Sequence, residues 1–161
     1  MIAIVKSEFN SKITNGLMDV CLIALEEDGL DIKELLIKEV PGAFEIPAMV
    51  KRIIKENQPN IILTLGCVIK GQTDHYHYIC NAVSNGIMKL TLQTDIPILF
   101  GVLTCQNSQL AYDRSGKILK KNKGYELGKA VKSFIDWKKD FLSKMLWSKW
   151  ILNKTLSNRR Y

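Results

Sequence analysis

The sequence predicts an α/β domain, a parallel sheet covered by helices on both faces. Three observations carry the prediction. Short apolar runs alternate with helically periodic segments four times along the chain, the pattern of strand–helix–strand units. Two of the runs, residues 61–65 and 97–103, read as continuous rather than alternating, as strands buried on both faces do. Polar, glycine and aromatic residues gather just after the runs, where the carboxyl ends of parallel strands form a ligand crevice.

Residues 2–5 form a short apolar strand that ends in the polar turn 7–10. Ile13, Leu17, Val20, Cys21, Ala24 and Leu25 recur at helical spacing, and Gly29 supplies the C-terminal cap. Residues 32–40 read as a strand stopped by Pro41 and Gly42. Residues 44–57 are helical by period, with Pro47 in the first turn, where a missing N–H costs little. After the strand 61–65, residues 66–74 read as a loop. Residues 74–92 read as a long helix with Thr73 or Asp74 at its N-cap. The strand 97–103 is followed by helical segments 108–114 and 125–137. Four loops flank the expected crevice: 7–10, 41–45, 66–74 and 104–106.

At 161 residues and 47% apolar, the chain suits one domain with a sizeable core. That domain is expected over residues 1–137, followed by a basic extension, 138–161, helical and then disordered. The four cysteines, 21, 67, 80 and 105, form no C-x-x-C pair, which disfavours a zinc knuckle or a redox motif. Three lie in apolar runs and read as small buried side chains of a reducing compartment. No charged-then-apolar leader opens the sequence, and no apolar run reaches the ~18 residues of a membrane span. The expectation is a soluble, cytoplasmic protein.

The net charge of +7 is uneven. Residues 138–161 hold seven Lys/Arg and one Asp, or +6, which leaves +1 for residues 1–137. A basic tail alone is a weak argument for nucleic-acid binding, and no nucleic-acid partner is expected.

Chemistry concentrates in residues 66–78. A buried strand runs into a loop bounded by Gly66 and Gly71, then into a helix. First-turn N–H groups are unpaired and partly positive, so a phosphate fits there. A plain strand–helix connection is the other reading. Gly71 is followed by Gln72-Thr73 rather than Lys-Ser/Thr, which disfavours a nucleotide-hydrolysing loop. His75 and His77 are the only histidines. Two residues apart on a helix, they stand about 200° around the axis and cannot share a metal. A single His75 beside a phosphate-sized site suits proton transfer near neutral pH; a polar helix-start residue is the other reading.

With these residues in view, the sequence resembles the 6,7-dimethyl-8-ribityllumazine synthases. The resemblance rests on Glu8-Phe9-Asn10, on Val40-Pro41-Gly42-Ala43-Phe44-Glu45-Ile46-Pro47, on residues 66–81 with Val68-Ile69-Lys70-Gly71 and His75, and on Phe100-Gly101-Val102-Leu103-Thr104. A weaker match covers Asp113-Arg114-Ser115-Gly116 and Asn122-Lys123-Gly124. The ordered set spans residues 1–137. It implies a flavodoxin-like three-layer sandwich around a four-stranded parallel sheet. It also implies the condensation of 5-amino-6-(D-ribitylamino)uracil with 3,4-dihydroxy-2-butanone 4-phosphate, without metal or organic cofactor.

The resemblance assigns roles residue by residue. Phe9 stacks on the pyrimidine. Ala43, Phe44 and Glu45 line the ribityl-pyrimidine pocket, and Cys67, Val68 and Ile69 flank the ring. Gln72 and Thr73 hold the phosphate. His75 moves protons. Phe100 and Arg114 reach the site from a neighbouring subunit, with Arg114 on the phosphate. A non-catalytic lumazine- or flavin-binding or scaffold member is the alternative.

Two departures bear on assembly. The sequence begins almost at its first strand, and residues 116–124 are about one residue longer than in shell-forming members; both imply a homopentamer. An acid usual beside the arginine is here the shorter Asp113. Phe141, Leu142, Met145, Leu146 and Trp150 form an apolar stripe in the tail. It reads as a membrane-surface or partner-docking helix, or as a helix packed on its own pentamer, and the last is preferred.

Overall fold

The computed structural model describes residues 1–157, apart from the side chains of residue 142 and residues 146–157. Its first strand, β1 (Ile2–Ser7), runs two residues beyond the apolar stretch that predicts it. Lys6 extends it because its ammonium is paired inside the fold, 2.7 Å from Glu39 and 2.6 Å from the Asn15 side-chain oxygen. Helix α1 (Ser11–Glu27) follows and ends as predicted at Gly29. Gly29 takes φ +75°, and the Gly29 and Leu30 N–H groups close back on Glu26 and Leu25 carbonyls at 2.9 and 3.0 Å, a left-handed cap that glycine adopts without strain.

The predicted strand 32–40 is shorter than expected. Residues Ile32–Glu34 make a 3-10 turn, because the Asp31 side chain accepts from the Lys33 N–H at 2.8 Å and curls the backbone. Only Leu36–Val40 forms β2. A second 3-10 turn, Ala43–Glu45, leads into α2 (Ile46–Asn57), with Pro47 in its first turn. Strand β3 (Ile61–Ile69) is longer than predicted. Gly66, Cys67, Val68 and Ile69 therefore belong to the strand, and the loop is confined to 70–74. Pairing with β4 (Ile98–Cys105) continues through Val68↔Thr104 and Ile69↔Cys105. Gly66 does not break the ladder. A Cβ there would lie 3.1–3.3 Å from Ile46, Ser7 and Val102, so the glycine marks close packing.

Helix α3 (His75–Gln93) begins after Asp74. Helix α4 (Ser108–Asp113) is capped by the Asn107 side chain on the Leu110 N–H at 3.0 Å. Helix α5 (Lys123–Ser157) runs 35 residues, joining the segment read as 125–137 without a break to the extension expected to begin as helix. The expected disordered end falls on 158–161, outside the described residues.

All four strands are parallel, in the order β2-β1-β3-β4. Alternation along β3 sends Ile61, Leu63, Leu65 and Cys67 to one face, packed with α1 and α5 residues such as Leu17, Cys21 and Leu127. Ile62 and Val68 face the other side, with Ile46, Val50, Val83 and Ile87 of α2 and α3. Three layers result, as the alternating sequence pattern requires. The chain passes from β1 to β2 on one side and returns to β3 on the other. The β1/β3 junction is thus the topological switch point, where open parallel sheets leave a crevice at their carboxyl ends.

Candidate active site

A cavity of about 650 Å³ opens at that switch point. Its walls come from the ends of three strands. Phe9 follows β1, Ala43, Phe44 and Glu45 follow β2, and Cys67, Val68 and Ile69 are the last residues of β3. Thr73 and His75 add the loop and first turn of α3. The sequence singled out all nine.

The Phe9 loop is held by its neighbours. The Glu8 and Phe9 N–H groups donate to the Val40 and Pro41 carbonyls at 2.8 and 2.9 Å. Asn10 takes a left-handed conformation, φ 61°, which Asn tolerates better than most residues. Its side-chain amide donates to the Cys67 carbonyl at 3.0 Å. The loop is thus tied to β3, and Phe9 stands 70% exposed over the cavity. Phe44 and Tyr78 are 57% and 73% exposed on the same cavity. Large aromatics left in water around a concavity suit a flat ring as ligand.

Sequence reasoning missed Tyr76, Tyr78 and Ile79 as wall residues. The signal was available: His75, Tyr78 and Ile79 are spaced i, i+3, i+4 and share a helix face. Tyr76 is buried, and burial, then the neighbouring Cys80, push its phenol up, so it stays neutral. His75 is exposed at the start of α3. Asp74 occupies the N-cap position but makes no side-chain capping bond. The His77 N–H donates to the Asp74 carbonyl at 2.9 Å; the N–H groups that precede it at the helix start are of the kind that an anion can take.

Three predicted residues do not join the cavity of a single chain. Gln72 is exposed in the loop beside it. Phe100 lies on the edge strand β4, 36% exposed. Arg114 caps the end of α4 and pairs with Glu126 at 3.1 Å. Glu126 also holds Lys123 at 2.6 Å; Lys123, then Arg114, keep its carboxyl below the usual range. Asp113 does not face the arginine: it accepts from Gln109 at 2.9 Å. Nothing in local spacing marks Glu126 as the arginine's acid, because residues 114 and 126 meet only after the chain turns into α5.

Cys67 is a wall of the cavity and not a nucleophile. Burial, then the nearby Cys105, push its thiol up to about 12, so the thiolate that reacts is scarce at neutral pH. Iodoacetamide at pH 8 is expected to leave Cys67 and the equally shifted Cys21 unmodified in the native chain. Peptide mass mapping that finds Cys67 alkylated as fast as in urea would contradict this. Among the described residues, no three His, Cys, Asp or Glu side chains group as a metal site, and no helix is long and apolar enough to cross a membrane.

A second cavity, about 400 Å³, opens at the amino ends of the strands between Met1, Leu30, Pro97 and Phe134. It is the far end of the sheet from the switch point and holds neither histidine.

Compared with known families, residues 1–139 match the family model described as 6,7-dimethyl-8-ribityllumazine synthase. The match covers the sheet, α1 to α4, α5 as far as residue 139 and every wall of the switch-point cavity. The chain belongs to the 6,7-dimethyl-8-ribityllumazine synthase family, transferases of riboflavin biosynthesis.

Proposed function

We propose that the chain condenses 5-amino-6-(D-ribitylamino)uracil with 3,4-dihydroxy-2-butanone 4-phosphate to 6,7-dimethyl-8-ribityllumazine, releasing phosphate and water. The convergence of Phe9, Phe44, Cys67, Val68, Thr73 and His75 on one cavity carries this reading. The pyrimidine stacks on Phe9, and Ala43, Phe44, Glu45 and Ile69 complete its pocket. Gln72, Thr73 and the first-turn N–H groups of α3 receive the phosphate. The catalytic unit is residues 1–137, and it works in the cytoplasm.

The uracil amine attacks the ketone and a Schiff base forms with loss of one water; phosphate leaves, and the ribityl-bearing amine closes the ring on the remaining carbonyl with loss of a second water. Each step moves a proton, which needs one titratable group near neutral pH rather than a strong nucleophile. His75 supplies it from the cavity edge. The departing phosphate gathers charge, which Arg114 and helix N–H groups stabilise. Holding two reactants together contributes further acceleration.

Arg114 and Phe100 do not line the single-chain cavity, which supports a site completed by a neighbouring subunit. The proposed assembly is a homopentamer. Light scattering is expected to give the mass of five subunits; a particle of shell size would reject it.

The two substrates incubated with the chain are expected to yield the absorbance of the lumazine. A chain that binds lumazine but forms none would be the non-catalytic member instead. His75→Ala is expected to lower turnover about ten-fold or more, with unchanged circular dichroism. An unaltered rate removes His75 from the mechanism.

A further inference from the structure

α5 starts at the carboxyl end of the sheet, where the Lys123 N–H donates to the Arg114 carbonyl at 2.8 Å. It reaches the opposite end at Phe134, Ile135, Lys138 and Lys139, which wall the amino-end cavity with Met1 and Pro97. The helix then continues to Ser157. Residues 140–157 add about 27 Å of helix at 1.5 Å per residue. A helix of this length past its own body is not needed to close the three-layer core.

Its described side chains are exposed, and their pattern has two parts. Trp137 and Phe141 are 62% and 55% exposed and stack at 5.7 Å, one helical turn apart. Phe134, 39% exposed, stands one turn earlier and shares a shallow groove with Trp137. These aromatics make one strip that runs onto the body at the amino-end cavity. The second part is charge. Residues 138–161 hold seven Lys/Arg and one Asp; that Asp140 pairs with Lys144 at 2.6 Å, and Lys138 and Lys139 are exposed.

We propose that the projecting part of α5 docks on an anionic lipid surface. Trp137 and Phe141 enter the headgroup boundary, and the flanking lysines face lipid phosphates. Two other occupants fit less well. A second copy of the tail would bring a net +6 against +6. A nucleic acid would use the lysines and leave the stacked aromatics without a role. An anionic bilayer uses both, the combination that holds interfacial helices. The helix lies on the surface rather than spanning it, consistent with the lack of a spanning helix among the described residues. The tail leaves the sheet from the end opposite the switch-point cavity, so docking leaves that cavity open. The inference stands independently of the reaction proposed above.

The test is cosedimentation of the full-length chain with phosphatidylcholine vesicles, with and without phosphatidylglycerol, across salt concentrations. Binding is expected only to vesicles containing phosphatidylglycerol, and weaker as salt rises. The double variant Trp137→Ser, Phe141→Ser is expected to bind about ten-fold more weakly, with its oligomeric mass unchanged. Lys138→Glu with Lys144→Glu, the two described lysines that flank Phe141 at i−3 and i+3, is expected to weaken binding comparably. Three results overturn the proposal. One is no sedimentation with either vesicle. Another is a fall in oligomeric mass in the aromatic double variant, which makes the strip a contact between copies. The third is binding to polyuridylate but not to vesicles, unaffected by the aromatic variant, which makes the tail a nucleic-acid arm.

Discussion

Arg114→Ala is expected to lower kcat/KM for the phosphorylated substrate about a hundred-fold, through KM as well as kcat, with the fold unchanged. In the proposed site the guanidinium would form charge-assisted bonds to a dianionic group, and losing one side of such a pair costs about 2–5 kcal/mol. A hundred-fold corresponds to about 2.7 kcal/mol. Arg114→Lys keeps the charge but not the two-pronged geometry, and partial recovery is expected. The fold is expected to survive because Arg114 is a surface residue, and its side chain and that of Glu126 are 45% and 58% exposed in their ion pair. Exposed pairs contribute about 0–1 kcal/mol. An unchanged KM for the phosphorylated substrate would remove Arg114 from the phosphate site.

The same residue tests the shared site. If His75 and Arg114 of one site come from different subunits, co-assembled His75→Ala and Arg114→Ala chains contain some sites with both groups intact. Random mixing makes about a quarter of the sites whole. Activity is then expected to rise above either parent toward about a quarter of the native rate. A rate equal to the parental average would mean that each chain completes its own site.

Gly124→Val is expected to give the largest loss of stability, lowering Tm by about ten degrees or preventing folding. A Cβ at Gly124 would run into the backbone carbonyl of Leu17, and Gly128 has the same relation to Ala24 and Cys21, with a Cβ there 2.6 Å from the Ala24 methyl. These glycines let α5 lie directly on α1. Backbone cannot turn aside as a flexible side chain can, so the helices must separate and open the packing of Leu17, Cys21 and Leu127. Overpacking costs about 3 kcal/mol at such sites, and each kcal/mol shifts Tm by about 2–4 °C in a chain of this size. Thermal unfolding followed by circular dichroism checks it; a Tm within two degrees of native would show that the seam can relax.

The sequence alone determined the layered α/β class, the order of elements and most of the cavity wall. Periodicity and continuous apolar runs are local signals, and parallel sheets bind at the carboxyl ends of their strands wherever the chain reverses. Residues just after a run were therefore legible as candidates for the cavity wall, where Phe9, Phe44 and His75 stand. Element ends were less legible. Asp31 curls residues 32–34 through a side-chain bond, and β3 extends through Gly66 because tight packing calls for a glycine there. Both depend on neighbours in space.

Tertiary structure decided what the spacing could not. It joined the Phe9 loop to β3 through Asn10 and made Glu126 the partner of Arg114. It also left Phe100 and Arg114 outside the cavity of one chain, and carried α5 past the sheet with its aromatics exposed. The physical reason is common to these cases. Helix and strand patterns follow from the burial of nearby residues in sequence, whereas charge partners, close approaches and shared sites arise between residues that only folding brings together.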